Sequence, residues 1–301
     1  MPTIACVNGR FLPLSRAMVS VEDRGFQFGD GVYEVVRGYG GKLFRLDAHL
    51  DRLVHSARAI RLSMRYSLPQ WRRLIVRAYQ MSGFPDAKVY LQLTRGGAPR
   101  EHAFPAAVRP TVVITVRKLQ ALDPELRRNG VSAITVPDLR WGRCDVKSLN
   151  LLANVLARED AREAGVFEAI LVREGSVTEG AISNVFAVIH GTVTTPPTDP
   201  SILPGITRAA TLDLVRAEGL PLAARSFSVQ ELHAAEEVFL TGTTMEIVPV
   251  VSINGAKIGT GAPGPVTQVL ARSLSAMVEA ECGSGASGVS SSAKRRRKHS
   301  R

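Results

Sequence analysis

The chain has 301 residues, a formal net charge of +11, 45% hydrophobic and 22% charged residues, which suits a soluble globular protein and excludes a disordered one. Nowhere do about 18 apolar residues run uninterrupted, and the N-terminus has no basic run followed by an apolar stretch, so a cytoplasmic protein without a membrane span is expected. Cys6, Cys144 and Cys282 are odd in number and widely spaced, which fits neither a disulfide framework nor a zinc site.

The first third punctuates itself with hairpin turns. Asn8-Gly9 separates ACV from RFLPL, and Gly40-Gly41 separates VYEVVRGY from KLFRL, so antiparallel strands are expected. From Asp47, read as a cap, the pattern turns helical, with Leu50, Leu53, Val54, Ala57 and Ile60 on one stripe. Arg52 falls about 140° from the centre of that stripe at about 100° per residue, so it faces solvent or a cleft. A second amphipathic helix spans residues 68–81. KVYLQLTRG and TVVITVRKL follow as strands, joined by the long Pro-rich loop 96–110, a candidate working loop. Residues 119–126 (LQALDPEL) read as a linker between a domain at 1–118 and another at 127–282.

In the second part VSAITVPDL is a strand and residues 148–164 a helix with Ser148 as its cap. EAILVREGSVTEG and SNVFAVIHGTVTTP follow as hairpins, and residues 206–218 as a helix entered through Pro204-Gly205. EEVFLTGTTMEIVPVVSINGAKIG supplies the last strands, with a turn at Asn254-Gly255. Strands and helices mix without strict alternation, which favours α+β over a doubly wound parallel sheet. Gly259 to Gly264 spells G-x-G-x-x-G but contains a proline and no βαβ unit follows, so it is a turn. Residues 283–301 are a Gly/Ser stretch and a basic tail whose Lys294 to Lys298 and Arg301 carry six of the positive charges; without them the net charge is +5. Disorder is expected there, with weak nucleic-acid contact as the minor reading.

No P-loop, H-E-x-x-H or G-x-S-x-G occurs. Polar residues at element ends remain. Lys147 in RCDVKSLNLL reads either as a surface charge or as an amine whose pKa a helix N-terminus and burial would lower toward the neutral, nucleophilic form. Glu179 shares a strand face with Val177 and Ala181; if buried it needs a cation, Arg173 or Arg143. The amides of Ile206 and Thr207, at a helix start, point outward as an anion site, and Thr241 to Thr244 add donors at a strand end.

Taken together, the segments EDRGFQFGDGVYEVVRGYGG, HLDRL, LTRGGAPREHAFP, LRWGRCDVKSLNLL, VTEGAISNVF, ILPGITR and TGTTMEIVPV resemble the class IV (fold type IV) pyridoxal-phosphate aminotransferases, most closely the bacterial D-amino-acid enzymes. The resemblance implies an α+β fold of two domains, the larger barrel-like, with the site in the cleft between them. It implies pyridoxal 5'-phosphate as cofactor, with Lys147 as covalent anchor and general acid/base and Glu179 beside the ring nitrogen. Arg52, Ile206, Thr207 and Thr243 would hold the phosphate, and Leu203 would pack on the ring. Tyr33, Arg100 and His102 resemble a substrate-carboxylate trap, joined by Thr244, with the Arg100/His102 loop reaching the neighbouring subunit of a homodimer. The implied reaction moves an amino group between D-amino acids and 2-oxo acids, D-alanine and 2-oxoglutarate for example. A branched-chain or amine aminotransferase, or aminodeoxychorismate lyase, is the alternative within the family; a nucleic-acid binder acting through its tail is the alternative outside it. Two departures touch the site: Ala181-Ile182-Ser183 replaces a serine-rich run, and Pro204 stands where lysine is usual.

Overall fold

The computed structural model describes residues 3–283; the Gly/Ser and basic tail read from the sequence lies outside the described residues, apart from Gly283. Two sheets carry the chain. The first is six-stranded and antiparallel, in the order β2-β1-β6-β5-β3-β4, from β1 (Ile4–Val7), β2 (Arg10–Pro13), β3 (Gly31–Tyr39), β4 (Lys42–Leu43), β5 (Ala87–Thr94) and β6 (Thr111–Lys118). Its turns at Asn8-Gly9 and Gly40-Gly41 combine φ values of 53° and 87° with 54° and 96°, the left-handed pairs that a two-residue hairpin needs.

A short helix α1 (Arg24–Phe28) precedes β3, and α2 (Leu46–Ala59) and α3 (Leu68–Ser82) cover one face of the sheet. Val32 and Val36 of β3, Val89 and Leu91 of β5, Leu50 and Leu53 of α2, and Trp71 and Ile75 of α3 interlock there, all nearly or fully buried. The alternate residues of β3 and β5, Tyr33 and Val35 with Lys88, point to the opposite face and line a cleft.

Helix α4 (Pro124–Asn129) leads into the second sheet. It contains β7 (Val131–Pro137), β8 (Glu168–Arg173), β9 (Ser176–Gly180), β10 (Asn184–Ile189), β11 (Thr192–Thr195), β12 (Leu222–Ala224), β13 (Glu237–Gly242), β14 (Glu246–Ile253) and β15 (Ala256–Lys257). The path runs β12-β11-β10-β13-β14-β7-β8-β9, with β15 on β14, and it is mixed: β7 lies parallel to β8 and β14, and β11 to β12. The edge curls back, since Gly180 at the end of β9 donates its N–H to Ser183 O at 2.7 Å just before β10. One core fills the curl around Phe227, Leu240 and Val248. Another lies under α6 (Ile206–Ala217) and α8 (Pro265–Cys282), where Phe186 and Phe239 stack with centroids 4.9 Å apart and Tyr39 of β3 and Phe44, just after β4, join them. Helix α5 (Leu152–Glu163) packs Ala157 and Ala161 on Ala169 and Leu171, and the short α7 (Val229–Ala234) adds Leu232 to the curl. No helix among the described residues is long and apolar enough to cross a membrane.

Two local expectations are corrected. Asp47 does not cap α2: the helix starts at Leu46 after Arg45, which takes a left-handed φ of 53°, and Asp47 lies in the first turn, paired with Arg72. Ser148 does not cap α5, which starts at Leu152; residues 147–149 are instead held by backbone bonds to β3. Within residues 119–126, Asp123 Oδ1 accepts the N–H of Glu125 at 2.9 Å and opens α4 at Pro124. All three cysteines are buried and unpaired, Cys282 included, which belongs to the core under α8 rather than to the tail.

Leu53 is fully buried one residue from Arg52, so it sets the seat of the helix that presents that arginine. Leu53→Ala is expected to cost about 2–5 kcal/mol, read as a lower midpoint at unchanged slope in urea unfolding.

Candidate active site

A cavity of about 690 Å³ lies where the outer face of β3 and β5 meets the second sheet, lined by Tyr33, Arg52, Lys147, Glu179, Leu203, Ile206, Thr207, Thr243 and Thr244. Nine of the eleven site residues expected from the sequence thus share one wall system.

Lys147 owes its position to backbone pairing. The opening residues of β3 face no neighbour on the β4 side, since β4 pairs only with Gly38 and Tyr39. The chain at 147–149 fills that edge: Tyr33 N–H donates to Lys147 O at 3.0 Å, Leu149 N–H to Gly31 O at 3.0 Å, and Lys147 N–H to Ser56 Oγ at 3.1 Å. An unpaired edge gains more from these bonds than four residues gain from one helical turn, so the sequence's helical tendency loses here. The amine projects over Tyr33, with Nζ 4.4 Å from the ring centroid.

Glu179 is buried at the end of β9, as its strand face implied, but neither Arg173 nor Arg143 is its partner. Arg143 turns outward to Asp145 at 2.9 Å, and Arg173 goes to Asp138 at 3.1 Å. The cation is Arg140, which bonds Glu179 and, through Nε at 2.9 Å, Asp138. Sequence reasoning misses it, although Asp138 and Arg140 follow β7 at a spacing of two and so share a face in extended chain. It misses Asn184 as well: the Asn184 Nδ2 donates to Glu179 Oε2 and to Leu203 O, both at 2.9 Å, while Leu203 N–H returns a bond to the same carboxylate at 3.1 Å. Burial outweighs these partners and lifts the Glu179 carboxyl to about 7, with Arg140 pulling the other way.

Arg52 is nearly buried and works in two directions. Its Nε and Nη2 bind Glu34 at 2.7 and 3.0 Å, and its Nη1 donates to Pro204 O at 2.9 Å, leaving one N–H on each terminal nitrogen. Glu34 also meets His49 Nδ1 at 2.8 Å; burial would raise this carboxyl, but Arg52 and His49 hold it down at about 2. Pro204 takes part through its carbonyl, a group any residue would offer. Gly205 follows with no room for a side chain, since a Cβ would run into Asn184 Oδ1, and α6 then begins with the amides of Ile206 and Thr207 lacking intrahelical acceptors. Across the cavity, Thr244 O accepts from Arg37 at 3.0 Å, and Arg37 and Arg127 both pair with Glu246, which sits at a left-handed φ of 63°.

Arg100 and His102 are the two expected residues that do not line this cavity. Both rest on Phe28, the Arg100 guanidinium 4.8 Å from the ring centroid and the His102 ring 5.4 Å away. Buried Arg24 secures their loop by donating to the carbonyls of Glu101, His102 and Ala103 and to Asp30.

The amino-transferase class IV family model matches residues 31–253, so the chain belongs to the class IV aminotransferases. Among curated relatives it is 46% identical over 261 residues to a D-alanine aminotransferase of Bacillus licheniformis, covering 87% of this chain and 92% of that one. It is 40% identical over 274 residues to a D-alanine aminotransferase of Staphylococcus haemolyticus, covering 91% and 97%. Of solved structures, the branched-chain amino acid aminotransferase of Escherichia coli superposes with a TM-score of 0.85 at 28% identity, covering 91% of this chain and 94% of that one. A hypothetical aminotransferase from Mycobacterium tuberculosis, in its PLP-bound form, gives 0.81 at 26%, covering 92% and 99%.

Because the Glu179 carboxyl is raised, its charged form destabilises the cofactor-free fold as pH climbs from about 4.5 to about 7, and the cost is complete above that window. The stability of Glu179→Gln relative to wild type is therefore expected to grow across pH 4.5–7, by on the order of 1–3 kcal/mol, and to level off above it. Urea unfolding of the cofactor-free protein at pH 5, 6, 7 and 8 measures this; a pH-independent difference contradicts it.

Proposed function

We propose that this chain is a D-amino-acid aminotransferase that carries pyridoxal 5'-phosphate and exchanges an amino group reversibly between a D-amino acid, such as D-alanine, and a 2-oxo acid, such as 2-oxoglutarate. The observation that carries the reading is the convergence of Lys147, Glu179, Arg52 and the start of α6 on one cavity. The 40–46% identity to D-alanine aminotransferases supports the D-specific form.

The residues present fit that cofactor. Glu179 is a buried carboxylate that one shared guanidinium does not fully compensate, which suits a cationic ring nitrogen beside it. Thr241 lines the cavity, and its Oγ1 is buried without a hydrogen-bond partner. The uncommitted N–H bonds of Arg52 and the amides of Ile206 and Thr207, with Thr243, suit a phosphate. Bound there, the cofactor supplies an electron sink for the carbon that loses its proton.

The chain's own residues do the rest. Lys147 would hold the cofactor through Nζ; once freed, Nζ would take the proton from the substrate α-carbon as general base, hold it, and give it back as general acid within the same half-reaction, so it must enter that step uncharged. Glu179 would keep the ring nitrogen of the cofactor protonated, with Arg140, Asn184 and the Leu203 amide fixing the orientation of its carboxylate. Leu203 would pack on the ring, and Tyr33 and Thr244 would bind substrate. Arg100 and His102 grip the α-carboxylate in the site of a second copy of the chain; their absence from this chain's own cavity and their firmly held loop agree with that arrangement. Residues 1–118 and 127–282 are the two domains on either side of the site.

The purified protein should be yellow, and borohydride should fix the cofactor to one peptide containing Lys147. Lys147→Ala should lower kcat at least about 10³-fold; full turnover by this variant would defeat the mechanism. D-Alanine should be used and L-leucine refused in a panel of both enantiomers, whereas L-leucine turnover would move the enzyme to the branched-chain branch. Arg100→Ala should reduce kcat/KM for D-alanine about 10²-fold; unchanged kinetics would remove the carboxylate role of that loop.

A further inference from the structure

The charges around the cavity leave one cation unexplained. Six cationic side chains line it, and four are committed: Arg52 to Glu34, Arg140 to Asp138 and Glu179, Arg158 to Glu168 at 3.1 Å, and Arg162 to Glu159. The remaining two are lysines that form no ion pair among the described residues. Lys147 has its role; Lys88 has none in the reaction as described.

Lys88 is half-buried on the cleft face of β5, directly across from Arg37 on β3. Successive pairs on this face are Tyr33 with Gln92, Val35 with Tyr90, and Arg37 with Lys88. The Tyr33 end lies by the Lys147 amine, and the Arg37 end is tied to Thr244. Four residues of strand, about 13 Å, separate the two ends, and the flexible arm of Lys88 can cover about half of that. Val35, with Tyr90 across from it, lies between them, and Val35 lines the cavity. At the far end two guanidiniums, Arg37 and Arg127, share the single carboxylate of Glu246, so no acidic group there is left for Lys88.

We infer that Lys88 is the residue that reads the side-chain carboxylate of dicarboxylic substrates, a five-carbon amino acid and its 2-oxo acid, at the Thr244 end of the cavity. This rests on the proposed function: with the reacting carbon at Lys147 and the α-carboxylate held near Tyr33, a substrate side chain runs along Val35 toward Lys88. A small side chain such as a methyl stops short of it. The ammonium then contributes to binding of the longer, doubly charged substrate only.

The test compares wild type, Lys88→Gln and Lys88→Arg as holoenzymes. The ratio of kcat/KM for D-glutamate to that for D-alanine should fall at least about tenfold in Lys88→Gln, mainly through KM, and recover largely in Lys88→Arg. Calorimetric titration with two unreactive probes, glutarate and butyrate, should show glutarate weakened by a similar factor and butyrate within about twofold. A ratio that stays constant, with glutarate affinity unchanged, overturns the inference, as does an equal loss for both substrates and both probes. Should wild type fail to use D-alanine at all, the proposed function falls, while the glutarate and butyrate titrations still decide the role of Lys88.

Discussion

The backbone pairing of residues 147–149 with the first residues of β3 is the constraint on which the site depends. It closes a strand edge that β4 leaves open, stops the sequence RCDVKSLNLL from turning helical too early, and stands the Lys147 amine over Tyr33. It is also a seam between the two sheets, since residues 147–149 come from the connection between β7 and α5. A helix beginning at Ser148 would have pulled the amine onto α5, away from the strand that carries Tyr33.

Around that seam the protein solves a problem of buried charge. Glu34, Asp138, Glu168 and Glu179 are all shielded from water, and each is met by arginine. Lysine could satisfy the charge, but only a guanidinium offers the planar fork that grips a carboxylate and still reaches a second acceptor, as Arg52 reaches Pro204 O and Arg140 bridges two acids. The outcome is a cavity whose walls are electrostatically settled, with the two lysines left as the adaptable cations. Glu179 is the partial exception, and its raised carboxyl marks where a further positive charge belongs.

Much of this is legible in the sequence, for reasons that differ by residue. The turns at Asn8-Gly9 and Asn254-Gly255 announce themselves by backbone chemistry, and the helical period alone sets Arg52 off the apolar stripe of its helix, where it meets the cleft. Strand alternation places Glu179 correctly but not its partner, because Arg140, Arg143 and Arg173 can be told apart only by where the fold turns each of them. Glu34, His49 and Asn184 give no signal, because the purpose of each emerges only once Arg52 and Glu179 stand beside it. The start of α5 escapes a sequence reading because local propensity has no knowledge of an unfilled strand edge in another part of the fold.

The hydrogen bond from Arg52 to Pro204 O joins residues 152 positions apart, and Lys147 and Thr243 are brought in from other distant places. No fragment of the chain contains even a rudimentary form of the cavity. Contacts of such long sequence separation close late, after the separate cores have formed, so a ligand of this cavity would be captured by the finished molecule rather than guide its assembly. A ligand bound there would favour the native state alone, and its concentration would become part of what keeps these distant segments together.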